Sequence, residues 1–112
     1  MIASITELRL KNFMAFFKFI PHAIRCKMQA DQADGAVSVK VKADGLLIQR
    51  TLTVWDSHEA MRAYVRSGAH LKAMKVFAQV ANTSYTATFE VVAPPTWDDA
   101  LKVLKEKGRA IG

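Results

Sequence analysis

Hydrophobic and polar positions repeat along this chain with two different periods. From Ile2 to Leu10, β-branched and apolar residues alternate with polar ones at the period of a strand. Asn12 then offers an N-cap. Phe13, Phe16, Phe17, Ile20, Ile24 and Met28 follow at helical spacing and predict a helix from Phe13 to about Asp31. Pro21 sits inside that run without a backbone N–H, which predicts a kink or a split beside His22 and Cys26. Val37, Val39 and Val41 alternate with Ser38, Lys40 and Lys42 in a second strand. Asp44-Gly45 marks a hairpin, because both residues tolerate positive φ. A third strand runs from Leu46 to Trp55, with Leu46, Ile48, Leu52 and Val54 on one side and Gln49, Thr51, Thr53 and Trp55 on the other.

The stretch from Trp55 to Phe77 returns to helical period. Asp56 with Glu59 three residues on reads as a capping box, so a helix starts at about Ser57, and Met61, Tyr64, Val65, Gly68 and Ala69 share one face. Ser67-Gly68 then weakens it, since glycine in a helix interior costs about 1 kcal/mol relative to alanine. Beyond that bend His70, Met74 and Phe77 fall on one stripe. Ser84 to Val92 reads as a fourth strand ended by Pro94-Pro95, and Thr96 with Asp99 caps a short helix from Trp97 to about Lys107.

The element order β-α-β-β-α-β with a terminal helix predicts an α+β, ferredoxin-like fold with a four-stranded antiparallel sheet, formed by residues 1–112 as one domain. The sets Val37/Val39/Val41 and Tyr85/Ala87/Phe89/Val91 are expected to lie under the crossover helices. The opposite face, rich in threonine with Gln49 and Trp55, is expected to close against a second copy as a two-fold homodimer.

Composition narrows the function. The 112 residues are 51% hydrophobic and 23% charged, which suits a globular protein. No apolar run approaches the roughly 20 residues of a membrane span, and the N-terminus lacks the basic start and apolar core of a signal peptide. A cytoplasmic protein with no membrane partner is expected. The net charge of +6 is spread over dispersed Lys and Arg without interleaved strand aromatics, so nucleic acid is not expected as a partner. Cys26 stands alone, which excludes an internal disulfide, and His22, His58 and His70 have no metal-ligand spacing, so no metal is expected. Neither a GxGxxG, a P-loop nor a GxSxG elbow is present.

His70 is the candidate acid/base, because an imidazole exchanges protons near neutrality and burial tunes it further. The alternative for the same residue is a core histidine bonded to a carbonyl at the bend. Tyr64 is the candidate orienter, able to hydrogen-bond a phenolic or quinone oxygen.

The run Leu52-Thr53-Val54-Trp55-Asp56-Ser57, followed by Ala60-Met61, Tyr64 and Ser67-Gly68-Ala69-His70, resembles the dimeric α/β barrel superfamily, which includes antibiotic-biosynthesis-monooxygenase-like proteins, haem-degrading monooxygenases and spheroidene monooxygenase. The resemblance implies a pocket between helices and sheet that takes a hydrophobic or aromatic small molecule. In the cofactor-free members the substrate itself activates oxygen once deprotonated. The haem-degrading members use an Asn, Trp and His triad. This chain has Tyr64 and Met74 where their Trp and His fall and no Asn on its first strand, so haem degradation is not expected. The resulting expectation is a monooxygenase-like enzyme without a bound cofactor, with His70 and Tyr64 catalytic and Trp55, Met74, Phe77, Phe17 and His22 binding substrate. The alternative is a non-catalytic small-molecule or haem-binding protein of the same fold.

Overall fold

The computed structural model describes residues 1–110, apart from the side chain of Ala69. In chain order the elements are β1 (Ile2–Leu10), α1 (Phe13–Gln32), β2 (Ala36–Asp44), β3 (Ile48–Trp55), α2 (His58–Val65), α3 (Gly68–Val80), β4 (Ala81–Glu90), α4 (Trp97–Lys107) and β5 (Arg109–Ala110). β1 is the central strand, pairing antiparallel with β3 on one side and β4 on the other. β2 extends the sheet beyond β3, and β5 extends it beyond β4, giving the order β2-β3-β1-β4-β5. The expected antiparallel α+β architecture is present, with five strands where four were expected.

Local chemistry accounts for most element ends. Asn12 caps α1, its Oδ1 accepting the Ala15 N–H at 2.9 Å, and Thr96 caps α4, its hydroxyl accepting from Asp99 at 3.2 Å. The cap of α2 is Ser57 and not Asp56: the Ser57 hydroxyl accepts the Ala60 N–H at 3.2 Å. Asp56 is held in the extended chain, because its N–H continues the strand ladder to the Gly35 carbonyl at 2.8 Å. Helix α1 runs unbroken through Pro21, whose ring lies on the exposed side, so the expected split does not occur. The carbonyl of Phe17, which loses its helical donor, therefore faces outward, where burial adds no cost. The bend at Ser67-Gly68 is a true break between α2 and α3, with Gly68 at φ +58°.

Register assigns the two faces differently from expectation. The loop between β2 and β3 has three residues, Gly45 to Leu47, so Asp44 pairs with Ile48, Val41 with Thr51 and Lys40 with Leu52. Val39 and Val41 thus share a face with Thr51 and Thr53, away from Ala87 and Phe89. Leu8 and Leu10 pack with Ala15, Phe19 and Val80, which puts α1 and α3 on the side of Thr6, Thr51, Thr53, Trp55 and Thr86. The threonine-rich face is the one beneath the helices. Its apolar counterpart, Ile5, Leu52 and Ala87, is covered by α4 through Ala100 and Leu104, with Phe89, Trp97 and Val103 around them. The expected pairing of the threonine face with a second copy is therefore incompatible with this register.

Candidate functional site

Three aromatic rings from three elements meet at the end of β3. Trp55, fully buried, stacks on Tyr64 of α2 with ring centroids 5.0 Å apart, and the Tyr64 ring also meets that of His70 of α3, tilted, at 4.8 Å. The Tyr64 hydroxyl donates to the Cys26 carbonyl of α1 at 3.1 Å, which ties this stack to the first helix. Gln29, one turn on, braces the α2–α3 break. Its amide donates to the Ser67 carbonyl at 3.0 Å and to the Ser67 hydroxyl at 3.3 Å, while its oxygen accepts the backbone N–H of His70 at 3.1 Å. Gly68 belongs to this close contact, because a Cβ there would sit 3.0 Å from Gln29 Oε1.

The His70 ring has a defined tautomer. Its Nδ1 lies 3.1 Å from the Val65 carbonyl, and a carbonyl oxygen only accepts, so Nδ1 carries the hydrogen and Nε2 carries the lone pair. Burial lowers its pKa below the ordinary 6.5, opposed by the smaller effect of the Val65 carbonyl. The ring is therefore neutral at pH 7 with a basic nitrogen in hand. Burial, followed by the nearby Cys26 and Asp31, raises the pKa of Tyr64, which keeps the phenol protonated and donating. Burial raises the Cys26 thiol as well, with the Tyr64 contact opposing it, so this cysteine is a buried thiol and a poor nucleophile.

Beside the stack the helix layer does not seal the sheet. One register row across it is Val41, Thr51, Thr6 and Thr86; Val41 and Thr51 are exposed, and Thr6 and Thr86 are half-buried with hydroxyls 3.2 Å apart. Leu8 and Leu10 close one end against α1 and α3, and Ile2 with Trp55 closes the other. Between them the threonine row is only partly covered. These threonines were legible as an alternating set, but sequence alone assigned them to the wrong side of the sheet. Two concavities lie elsewhere: a small one beside Lys11, Met14 and Gln79, and an open groove of about 1080 Å³ lined by Met1, His58, Phe89, Pro95 and Asp99 among others.

The other expected substrate contacts do not converge on His70. On α3 the inward stripe is half-buried His70 and Phe77 with buried Ala73 and Val80, and Met74 projects outward with Leu71. Phe77 packs on Phe19 at 5.1 Å in the cluster at the far end of the helix pair. Phe17 is exposed and edge-on to Phe16, and no hydrogen bond among the described residues joins half-buried His22 to His70. His70 lines neither of these two concavities, and its ring is in contact with Tyr64. Among the described residues no group of three His, Cys, Asp or Glu side chains could hold a metal ion.

No family model matches the sequence, and no curated protein matches it. Solved structures do. The structure of an antibiotic biosynthesis monooxygenase superposes with a TM-score of 0.75 at 10% identity, covering 83% of this chain and 100% of that one. This is the fold of the antibiotic biosynthesis monooxygenase-like proteins. SnoaB, a cofactor-independent oxygenase from Streptomyces nogalater, matches with a TM-score of 0.68 at 16% identity, over 86% of this chain and 95% of its own. Rv0793 from Mycobacterium tuberculosis matches at 0.75 with 10% identity, over 85% and 98%.

Proposed function

We propose that this protein is a monooxygenase-like enzyme of the antibiotic biosynthesis monooxygenase fold that acts on a hydrophobic or aromatic small molecule without a bound cofactor, with His70 as its base. The observation that carries the reading is the His70 tautomer: pinning Nδ1 to Val65 leaves Nε2 as a neutral base of lowered pKa. The fold is shared with SnoaB, described as a cofactor-independent oxygenase, and this supports the same class of chemistry. In that chemistry Nε2 takes a proton from an activated methylene of a phenolic substrate, and the resulting carbanion reduces dioxygen. One oxygen becomes the product carbonyl; the other leaves as water with the two methylene hydrogens.

Tyr64 is a positioning residue in this scheme, because its hydroxyl is already committed to Cys26 and its ring touches both His70 and Trp55. Trp55 contributes an indole N–H that has no acceptor among the described residues, and a substrate oxygen seated at the stack supplies one. Thr6, Thr51 and Thr86 replace Met74, Phe77, Phe17 and His22 as the proposed binding surface. The proposal includes a homodimer joined through the α4 side of the sheet, where Tyr85 is exposed and Ile48 half-buried, and a cytoplasmic location. Dioxygen uptake with anthrone as the probe tests the activity. The wild type consumes oxygen and His70→Gln does not; equal uptake by both removes His70 from the chemistry.

A further inference from the structure

The outward face of α1 carries an apolar stripe that the core does not use. Phe13, Met14, Phe17, Ile24 and Met28 are 54–70% exposed, and Pro21 lies among them. At 3.6 residues per turn these six positions fall within an arc of about 100° and run for about 22 Å along the helix. Together they expose on the order of 600 Å² of apolar side chain, the upper end of what a monomer's largest patch presents. On the same layer Leu71 and Met74 of α3 also point outward.

The charges around the stripe are of one sign. Lys18 and Arg25 flank it along one edge, both exposed, and Lys72 and Lys75 are exposed on α3. From Leu8 to Ala30 and again from Ala60 to Phe89 the chain contains no acidic residue. Helices α1, α2 and α3 carry six basic residues against Asp31 and Glu59, and Asp31 is already paired with Lys27 at 2.8 Å. A second copy presenting this layer meets like charge, and an antiparallel two-fold contact puts both Lys18/Arg25 edges on the same side.

We infer that α1 is a peripheral docking face for an anionic lipid bilayer, lying in the plane of the surface with Phe13, Phe17, Ile24 and Met28 among the acyl chains and Lys18 and Arg25 at the headgroups. Exposed aromatic and aliphatic residues beside a basic edge have the composition of an interfacial helix. The absence of a spanning helix among the described residues is compatible with it, since such a helix lies on the membrane and does not cross it. This revises the expectation of no membrane partner and is independent of the proposed oxygenase chemistry.

Co-sedimentation of the full chain with vesicles tests it. The wild type pellets with vesicles of equal parts phosphatidylserine and phosphatidylcholine, stays in solution with phosphatidylcholine alone, and is released by raised salt. Phe17→Glu with Ile24→Glu abolishes pelleting. Lys18→Glu with Arg25→Glu weakens it about tenfold or more. All four side chains are exposed, so the variants keep the wild-type circular dichroism. Wild-type protein that stays in solution with both vesicle types overturns the inference, as does pelleting that both double variants retain. A dimer that Phe17→Glu with Ile24→Glu converts to monomer, without vesicle binding, overturns it in favour of a second copy.

Discussion

The side-chain oxygen of Gln29 accepts the backbone N–H of His70 at 3.1 Å. One residue of α1 thereby satisfies an amide in the first turn of α3, a position with no partner inside its own helix, and fixes the height of the imidazole above the sheet. Its amide group holds the Ser67 carbonyl and hydroxyl in the same contact.

Gln29→Ala is expected to cost about 1–2 kcal/mol in urea unfolding, since it strips one partly buried and two exposed hydrogen bonds at once. Amide exchange at His70 should accelerate while exchange in β1 stays at the global rate. Unchanged exchange at His70 would show that the α2–α3 break is held by other contacts.

Gly35 is held by both conformation and space. It has φ +83°, and a Cβ there would lie 2.6 Å from the Ala60 Cβ. Gly35→Ala combines a left-handed alanine with a clash against α2 and should destabilise by about 2–4 kcal/mol. Gly45, also at positive φ but with open space around it, should lose about 1 kcal/mol on the same change. Equal midpoints for the two variants in thermal melts would contradict this reading of the α2 contact.

The lowered pKa of His70 makes stability depend on pH with a definite sign. Above the ordinary value of 6.5 the ring is neutral in both folded and unfolded chains, and the contribution is fully present. As the pH falls below 6.5 the unfolded chain binds a proton that the folded ring refuses, so stability declines down to the folded pKa. His70→Gln, which cannot titrate, should flatten that segment of the stability curve measured by denaturant titration.

Local signals were legible in the sequence wherever a few neighbouring residues decide the outcome. Asn12 and Thr96 were read as caps because an N-cap needs only a side-chain oxygen and an open helix end. The α2 cap was displaced by one residue for a non-local reason: the Gly35 carbonyl claims the Asp56 N–H and keeps it in the sheet. The assignment of β2 to a face failed at a single turn. A two-residue Asp44-Gly45 turn sets Val41 opposite Ile48, whereas the three-residue loop sets it opposite Thr51. A register slip inverts every side chain of a strand, and alternation within each strand carries no record of it. At the candidate site, helical period put His70 on one stripe with Phe77 and Met74, of which Met74 projects outward. Gln29, 41 residues earlier in the chain, was not legible, because only the packing of α1 on α3 brings it to His70.

The central claim is that His70 is a neutral imidazole whose Nδ1 holds the hydrogen and whose Nε2 is the base. Nitrogen-15 NMR of the histidine side chains through a pH titration reads tautomer and pKa together. The structure predicts an Nδ1–H tautomer for His70 and a midpoint below 6.5. An Nε2–H tautomer, or a midpoint at or above 6.5, would contradict it.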